Sequence, residues 1–335
     1  MALGEFDLIE RWLRRPQDLH RARVVLGGGD DCALLQTQAG EQWAVSTDTL
    51  VEGRHFLSTV DPAALGHKAL AVNLSDLAAC GAQPQACTLN LTLPGVDEVW
   101  LEGFTRGFYA LADAHGIVLA GGDTTAVPLN IAVTAMGTVP PGQALLRGGA
   151  RAGDDLWVSH PAQGGLGDAR LALEAFRGRV ELTQAQWASC RARMERPEPR
   201  VALGLALRGL ATAAIDLSDG LLGDLGHVLK ASRLGAQLWW CDLPRSAALA
   251  AQSLAQQEAC LLAGGDDYEL LFTAPPPAQE AVQQAAALSG VAVRRIGRLV
   301  DGRGVEVWDS PADLIGGRPW ARERLPGGFD HFLQA

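Results

Sequence analysis

Aspartate recurs beside glycine or small polar residues at six places in the chain, and such carboxylates are candidate metal ligands. The segments are Gly29-Asp30-Asp31, Ser46-Thr47-Asp48-Thr49, Ser75-Asp76, Gly121-Gly122-Asp123-Thr124, Asp216-Leu217-Ser218-Asp219-Gly220 and Gly264-Gly265-Asp266-Asp267. Aspartate and glycine also favour turns, so a plain turn is the alternative at any one of them. Asp154-Asp155 is interpreted in that way, as a turn before a strand, and is not counted among the candidates.

Two local patterns in the first half favour a functional role. Ser46 and Asp48 are two residues apart in a predicted strand over residues 42–48, so their side chains share one face at its end. Asp76 lies inside an apolar helical pattern, where aspartate is a poor helix former. Asn73 lies three residues earlier on the same face, and a cation is one candidate partner for such a pair.

A third pattern lies in the second half. Asp216 ends a predicted strand, and Ser218 and Asp219 open a predicted helix over residues 218–232. Ser218 is a good N-cap residue, and the N–H groups and positive dipole at a helix N-terminus attract phosphate. Plain capping without a ligand is the alternative.

Converging carboxylates require cations, because two unit charges about 4 Å apart repel by roughly 4 kcal/mol at an effective dielectric of 20. Oxygen ligands without histidine or cysteine select hard ions, Mg²⁺ first. The chemistry indicated is phosphoryl transfer, in which metal ions neutralise the moving charge. No GxxxxGK[ST], kinase HRD or DFG, or GxGxxG motif is present, so metal, backbone amides and arginine must bind the phosphates.

Further positions are candidates for contacts with a nucleotide or an anionic second substrate. Gly121-Gly122 before Asp123 would let a backbone approach a nucleotide. Arg147, among glycines near the middle of the chain, has the forked donors that clamp phosphate. His55 follows the Asp48 strand and could contact an anionic substrate. A solvated loop residue is the alternative for both Arg147 and His55.

Composition excludes several classes of protein. The 335 residues carry a net charge of -10, which argues against a nucleic-acid binder. The six cysteines form no CxxC pair, so no zinc site is expected, and most of the cysteines are predicted to be buried. Glu5 and Asp7 stand where a signal peptide needs basic and apolar residues, and no apolar run is long enough for a membrane helix. We expect a cytoplasmic protein.

The elements that must position these residues alternate between helix and strand. Helices are predicted over 5–14, 61–80, 97–115, 166–176, 183–194, 199–210, 218–232 and 278–289. Strands are predicted over 32–36, 42–48, 86–93, 117–120, 129–139, 155–159, 213–216, 236–241, 268–274, 292–298 and 304–308. A run of prolines and glycines from 140 to 153 is the candidate boundary. The prediction is an α/β (α+β) protein with domains 1–149 and 150–335.

Taken in order, these segments resemble the thiamine-monophosphate kinases of the aminoimidazole ribonucleotide synthetase-like superfamily. The matching stretches are Gly4-Glu5-Phe6, Gly29-Asp30-Asp31-Cys32-Ala33, Ser46-Thr47-Asp48-Thr49-Leu50-Val51, His55-Phe56, residues 68–79, Gly121-Gly122-Asp123-Thr124-Thr125, residues 214–221 and residues 264–270. The Asn73-Leu74-Ser75-Asp76-Leu77-Ala78 run and the Ser-Thr-Asp-Thr segment are specific. The resemblance covers nearly the whole chain.

The resemblance implies a fold and a reaction. The N-terminal domain would pair with its copy in a homodimer to form a β-barrel, and an α+β domain would follow. ATP and thiamine monophosphate would give thiamine diphosphate and ADP by direct in-line transfer, assisted by several Mg²⁺ ions. Because the attacking oxygen belongs to the substrate's own ionised phosphate, no catalytic residue beyond the metal and phosphate ligands is expected.

The resemblance also implies site residues. The positions that match metal ligands are Asp31, Ser46, Thr47, Asp48, Asp76, Asp123, Asp216 and Asp219. Those that match ATP contacts are Gly122, Asp123, Arg147 and Ser218, and those that face thiamine monophosphate are His55, Asp266 and Phe329. The family commonly has glutamate where Asp266 stands. Phe329 follows from the resemblance alone.

Two alternatives remain. One is a superfamily relative with another substrate, such as aminoimidazole ribonucleotide synthetase, selenophosphate synthetase or a hydrogenase maturation factor. Selenophosphate synthetases carry a reactive Cys or selenocysteine before a glycine-rich loop, and Cys32, after the Gly-Asp-Asp turn, fits that poorly. The other is a catalytically silent nucleotide- or thiamine-binding regulator, which would lack some acidic ligands, whereas every expected acidic position is filled here.

Overall fold

The computed structural model describes residues 9–15, 23–26 and 34–310. They divide into two compact units, the first within Met1–Leu77 and Ala82–Gly142, the second within Ala78–Gly81 and Gln143–Ala335. The predicted site residues Asp31 and Phe329 lie outside the described residues, so their roles stay predictions. Of the predicted helix over 5–14, a single turn at Ile9–Leu13 is described, with the Arg14 N–H donating to the Ile9 carbonyl.

The first unit is built on a four-stranded sheet. Its strands are β3 (Gln42–Val51), β4 (Gln83–Leu93), β5 (Val118–Ala126) and β6 (Asn130–Val139), in the order β3-β6-β4-β5. The β4–β5 pair is parallel and the other pairs are antiparallel. A separate two-stranded ribbon consists of β1 (Val24–Leu26) and β2 (Leu34–Leu35). Along β4, Cys87, Leu89 and Leu91 are buried, whereas Asn90 between them is exposed, so one face of the sheet carries the core.

Two helices supply the other half of this core, α1 (Pro62–Ala79) and α2 (Glu98–His115), and both confirm the predictions. The Asp97 carboxylate caps α2 by accepting from the N–H groups of its first turn. The helices cross in backbone contact at two glycines. A Cβ on Gly66 would lie 2.0 Å from the Phe104 carbonyl oxygen, and one on Gly107 would lie 1.8 Å from the Ala63 carbonyl oxygen. Only glycine permits this approach.

Two predicted strands of this unit continue beyond the residue at which the sequence indicated their end. β3 continues past Asp48 to Val51, because it pairs with β6 along its whole length. Asp48 therefore lies within the strand, and the prediction that it ends the strand was wrong. β5 likewise continues through Gly122 and Asp123, because β4 pairs with it as far as Ala126. Strand pairing overrides the local turn preference of glycine and aspartate.

The second unit is built on a six-stranded sheet. Its strands are β7 (Asp155–His160), β8 (Ala213–Asp216), β9 (Gly235–Trp239), β10 (Leu270–Ala274), β11 (Ala292–Val300) and β12 (Gly304–Trp308). The order is β12-β9-β11-β7-β10-β8, and the β12–β9 pair is parallel whereas the other pairs are antiparallel. The helices of this unit are α3 (Asp168–Phe176), α4 (Gln184–Glu195), α5 (Val201–Ala206), α6 (Leu221–Ser232), α7 (Ala247–Ala250), α8 (Leu254–Ala263) and α9 (Gln279–Leu288).

The chain is thus a two-unit protein of mixed helix and sheet, as predicted. In the described residues the four-stranded sheet of the first unit is open, with β3 and β5 at its edges. No helix in the described ranges is long and apolar enough to cross a membrane. Cys87, Cys190 and Cys260 are buried, as predicted for most cysteines, and burial raises the pKa of each to about 12.

A buried ion-pair network ties the second unit together around Glu269, whose side chain is 1% exposed. Arg200 donates to both of its carboxylate oxygens, at 2.6 and 2.7 Å. Arg193 adds a bond of 2.8 Å, and Ser159 Oγ donates at 2.5 Å. Burial by itself lowers the pKa of Arg200, but the hydrogen bonds and charge of Glu269 offset this and raise it. The network joins the start of β10 to residues about seventy positions earlier.

A second buried carboxylate, Asp168, makes stability depend on pH. It accepts from Ser246 Oγ at 2.5 Å and from the Gly165 N–H at 3.3 Å. Burial raises the pKa of Asp168 above its ordinary 3.8, although these bonds partly oppose the shift. The folded state therefore holds this proton more tightly than the unfolded state does, and the resulting stability is lost as pH rises through the folded pKa.

Asp168→Asn removes the titratable carboxyl group. We therefore expect the free energy of unfolding of this variant to fall less steeply than that of the wild type as pH rises from about 4 upwards. Urea unfolding at several pH values measures the two slopes. Asp301→Asn, at an exposed aspartate, is the matched control and should keep the wild-type slope. Equal slopes for Asp168→Asn and the wild type would contradict the assignment.

Candidate active site

In the first unit, one face of β3 meets helix α1 at a pair of predicted ligands. Ser46 Oγ donates a hydrogen bond to Asp76 Oδ2, and both side chains are half-buried. Asp48, two residues along the strand, shares the face of Ser46. The structure therefore brings Ser46 and Asp48 of β3 to the same side as Asp76 of α1.

Asn73 extends this cluster by one turn of α1. Its amide nitrogen donates to the Ala69 carbonyl at 3.3 Å, while its buried Oδ1 has no hydrogen-bond donor within the part of the chain that the structure describes. An unsatisfied buried oxygen is uncommon in folded proteins and calls for an explanation. The side chains of Ser46, Asp48, Asn73 and Asp76 present only oxygen acceptors to a cation, and this donor set fits Mg²⁺.

Thr47 belongs to the opposite face of β3. Its hydroxyl donates to the Val133 carbonyl at 3.1 Å and accepts from Thr134 Oγ1 at 3.0 Å. Successive side chains of a strand alternate between faces, so Thr47 points away from Ser46 and Asp48. The three adjacent predicted ligands do not present their side chains to one ion, and the role of Thr47 as a metal ligand stays a prediction.

Asp123 lies at the far edge of the same sheet. It is exposed, and its partner on β4 is Asn90, on the face opposite to the core. Two strands separate β5 from β3, so the backbones at Asp123 and Asp48 are about 14 Å apart at the usual strand spacing. In a single copy of this unit the two carboxylates do not meet, and the expectation that they gather around shared ions stays untested.

Gly122 has a structural reason to be glycine. Its φ is 153°, and a Cβ there would lie 1.8 Å from the Leu89 carbonyl oxygen of the neighbouring strand. Strand packing therefore explains why the residue before Asp123 is glycine. Gly121 differs, because a Cβ there would meet no atom within 4 Å, so packing does not require glycine at that position.

His55 lies in the turn that follows β3. The Val51 N–H donates to His55 Nδ1 at 3.0 Å, so Nδ1 is the acceptor and Nε2 carries the proton of the neutral ring. Lys68, 1% exposed, donates from Nζ to the His55 carbonyl at 3.0 Å. A buried lysine on α1 thus positions the backbone of the predicted substrate-binding histidine.

In the second unit, the segment Asp216–Gly220 differs from the prediction. Asp216 ends β8 as predicted, but helix α6 begins at Leu221 with Gly220 at its N-cap, so the prediction that Ser218 caps the helix was wrong. The N–H groups of Ser218, Asp219 and Gly220 each donate to Asp224 Oδ2 at 3.1 Å. These amides already donate to a carboxylate, so they are not the free N–H groups that were predicted to bind phosphate, and a contact of Ser218 with ATP would involve its hydroxyl.

Asp224 is the residue that sequence reasoning missed. It is 2% exposed, and burial, followed by the negative charges of Asp216 and Asp219, raises its pKa to about 8. A cation bound beside Asp216 and Asp219 would offset this concentration of negative charge, which is consistent with their predicted role. An aspartate inside an apolar helical pattern singled out Asp76, and the same signal applied to α6 identifies Asp224.

Arg147 lies at the other end of α6 from Ser218. The Ser232 hydroxyl, at the last residue of the helix, donates to the Arg147 carbonyl at 3.4 Å, and the Arg147 side chain is exposed. A helix of 12 residues is about 18 Å long. The predicted ATP contacts Arg147 and Ser218 would therefore touch different parts of a nucleotide.

Asp266 lies directly beside the segment that carries Ser218. Its N–H donates to the Ser218 carbonyl at 3.0 Å, and the Tyr268 N–H donates to the Leu217 carbonyl at 2.8 Å. The structure thus brings a predicted substrate-binding residue and a predicted ATP-binding residue together in one unit. Within the described residues, no group of three His, Cys, Asp or Glu side chains forms a metal site by itself.

Comparison with known proteins also finds two successive domains in the chain. The family model of the AIR synthase related protein N-terminal domain matches residues 29–139, and that of the C-terminal domain matches residues 151–310. The thiamine-monophosphate kinase of Haemophilus influenzae is 40% identical over 336 aligned positions, which cover 100% of both chains.

Solved structures give the same result. The thiamine-monophosphate kinase from Stenotrophomonas maltophilia K279a has a TM-score of 0.83 and 48% identity over 92% of this chain and 97% of its own. A structure described as AaThiL complexed with AMPPCP and TMP has a TM-score of 0.73 and 28% identity over 99% of both chains. The chain therefore belongs to the thiamine-monophosphate kinase family, within the AIR synthase related proteins.

Proposed function

We propose that this chain phosphorylates thiamine monophosphate with ATP to give thiamine diphosphate and ADP. The observation that carries the proposal is the full-length identity of 40% to a thiamine-monophosphate kinase. The related AaThiL was solved with AMPPCP and TMP, an ATP analogue and the substrate of this reaction. The enzyme is then a phosphotransferase with a phosphate group as acceptor.

The reaction needs little covalent chemistry from the protein. An oxygen of the thiamine monophosphate phosphate attacks the γ-phosphorus of ATP, and the bond to the β-phosphate oxygen breaks in line. The attacking oxygen is ionised near neutral pH, so no general base is required. His55, Asp266 and Phe329 would position thiamine monophosphate, and Gly122, Asp123, Arg147 and Ser218 would position ATP. Holding two polyanions in line supplies much of the rate enhancement.

Several Mg²⁺ ions are part of this proposal. Bound magnesium would neutralise the charge of the phosphates during transfer. The residues that would hold these ions are Asp31, Ser46, Thr47, Asp48, Asp76, Asp123, Asp216 and Asp219. The cluster of Ser46, Asp48 and Asp76, with the unsatisfied oxygen of Asn73, supports the assignment most directly.

The decisive assay incubates the purified protein with ATP, Mg²⁺ and thiamine monophosphate and measures thiamine diphosphate and ADP by chromatography. Equal amounts of the two products support the proposal. Thiamine without its phosphate is the control acceptor and should give no product. ATP consumption with another superfamily substrate only, or ATP binding without consumption of any acceptor, would contradict it. We place the reaction in the cytoplasm.

A homodimer with a shared β-barrel is the second part of the proposal. In the described residues β3 pairs only with β6 and leaves its outer edge open, and Val45 on this strand is 63% exposed. A long edge strand with exposed apolar residues favours pairing with another chain. If β3 of one copy lies beside β5 of the other, the barrel closes and Asp123 approaches the β3 ligands of its partner.

Subunit mixing tests this arrangement. Asp48→Asn and Asp123→Asn proteins should each be nearly inactive alone. Co-expression with two different tags gives mixed dimers, each with one intact site if the site spans two copies, so we expect about a quarter of wild-type activity in the random mixture. A site within one chain would leave no intact site in any dimer, and the mixture would then be as inactive as its parents.

A further inference from the structure

The loop before β10 contains two residues in an unusual backbone conformation. Asp266 has a φ of 69° and Tyr268 a φ of 50°, both in the left-handed region. Asparagine and aspartate adopt this region with modest frequency, but a bulky aromatic residue rarely does. Such strain persists only where the surrounding structure holds it, and it is found preferentially at functional sites.

The surroundings hold this loop from both sides. The N–H groups of Asp266 and Tyr268 donate to carbonyls of the segment after β8, and the Leu217 N–H donates back to the Glu269 carbonyl at 2.8 Å. Between them, the buried Asp267 accepts from the Gly167 N–H at 2.9 and 3.1 Å. The loop is therefore held against Leu217 and Ser218, and its conformation is imposed by these bonds.

The consequence of this conformation is a contact between two side chains. Tyr268 Oη donates to Asp266 Oδ1 at 3.2 Å, and both side chains are half-buried. A hydroxyl that donates to a carboxylate fixes the orientation of that carboxylate. Asp266 is a short side chain, so this bond restricts where its second oxygen points.

We propose that Tyr268 is a positioning residue that orients the Asp266 carboxylate toward the positively charged thiazolium ring of thiamine monophosphate. This inference rests on the proposed function. A carboxylate repels the phosphate of the substrate and attracts its cationic ring, so charge decides which end of the substrate the pair faces. The tyrosine ring adds a π face that also attracts a cation.

A double-mutant cycle tests the proposal, with Tyr268→Phe, Asp266→Asn and the double variant. Both changes suit the left-handed backbone, because asparagine adopts it as readily as aspartate and phenylalanine differs from tyrosine only by the hydroxyl. Calorimetric titration with thiamine monophosphate in the absence of ATP measures Kd. We expect Tyr268→Phe to weaken binding about tenfold. The double variant should bind no more weakly than Asp266→Asn alone, since Tyr268 acts through Asp266.

Steady-state kinetics provide the second measurement. Tyr268→Phe should raise KM for thiamine monophosphate and leave KM for ATP unchanged within about twofold, the scatter expected for an uncoupled site. Tyr109→Phe is the matched control, because it removes the other tyrosine hydroxyl of the chain, which donates to the Leu13 carbonyl. It should behave as the wild type.

The outcomes separate this inference from the proposed function. If the wild type forms thiamine diphosphate but Tyr268→Phe binds the substrate as tightly, only the inference is overturned. Additive effects of the two substitutions, or an equal rise in KM for both substrates, also overturn it, because a purely structural role would produce them. A wild type that binds no thiamine monophosphate overturns both.

Discussion

We expect Asp76→Asn to lower kcat by about 10²–10³-fold, the loss found when one group that stabilises transferring phosphates is removed, while the fold stays intact. Asparagine has the same size as aspartate and retains an oxygen to accept the Ser46 hydrogen bond, so packing between β3 and α1 is preserved. If Asp76 holds Mg²⁺ as proposed, the lost charge weakens that binding, and the Mg²⁺ concentration at half-maximal rate should rise. Asp48→Asn, on the same face of β3, should behave in the same way.

Rates measured over a range of Mg²⁺ concentrations, together with thermal unfolding, test this expectation. Asp301→Asn makes the same chemical change at an exposed aspartate in the turn between β11 and β12, and it should leave both measurements unchanged. A wild-type rate for Asp76→Asn or Asp48→Asn at limiting Mg²⁺ would refute the metal assignment. If the melting temperature falls so far that unfolding at the assay temperature accounts for the lost activity, these residues act in stability instead.

We expect Glu269→Gln to lower the free energy of unfolding by about 3–5 kcal/mol, because it leaves two arginines without their buried counter-charge. The side chains of Arg200 and Arg193 are 8% and 13% exposed, so water cannot replace the carboxylate. The amide also cannot accept the two parallel bonds that Arg200 donates. Urea unfolding followed by circular dichroism measures the change.

The matched control for this substitution is Glu198→Gln. Glu198 forms a 3.0 Å ion pair with the same Arg200, but its side chain is 63% exposed. An exposed pair contributes about 0–1 kcal/mol, so this variant should remain close to the wild type. Equal losses for the two variants would show that burial is not the cause, and a loss below about 1 kcal/mol for Glu269→Gln would contradict the role of the network.

Helices and candidate ligands were predictable from the sequence where the signal is local. The apolar periodicity of α1 and α2 and the capping aspartate before α2 depend on residues within one or two turns, and both helices were found as predicted. Asp76 was singled out because an aspartate conflicts with its apolar surroundings, a conflict that indicates a partner. The hydrogen bond from Ser46 now provides one.

The ends of strands were not predictable in this way. Asp48 and Asp123 both lie in turn-like sequences, yet both are inside strands because a neighbouring strand continues to pair with them. The prediction of where α6 starts was wrong for a related reason. The N–H groups of residues 218–220 donate to the buried Asp224 carboxylate, and no serine hydroxyl caps the helix. In each case the deciding partner is another part of the fold.

The amino-acid sequence by itself indicated a hard cation and phosphoryl transfer, because oxygen donors without histidine or cysteine suit such a cation whatever their arrangement. Alternation along β3 also determined that Ser46 and Asp48 share a face that Thr47 does not. Only the tertiary structure decided that Asp48 and Asp123 lie at opposite edges of one sheet, that Glu269 meets Arg200, and that Tyr268 bonds to Asp266. Strand order, distant ion pairs and a strained loop are set by contacts between segments far apart in the chain, and no local pattern contains them.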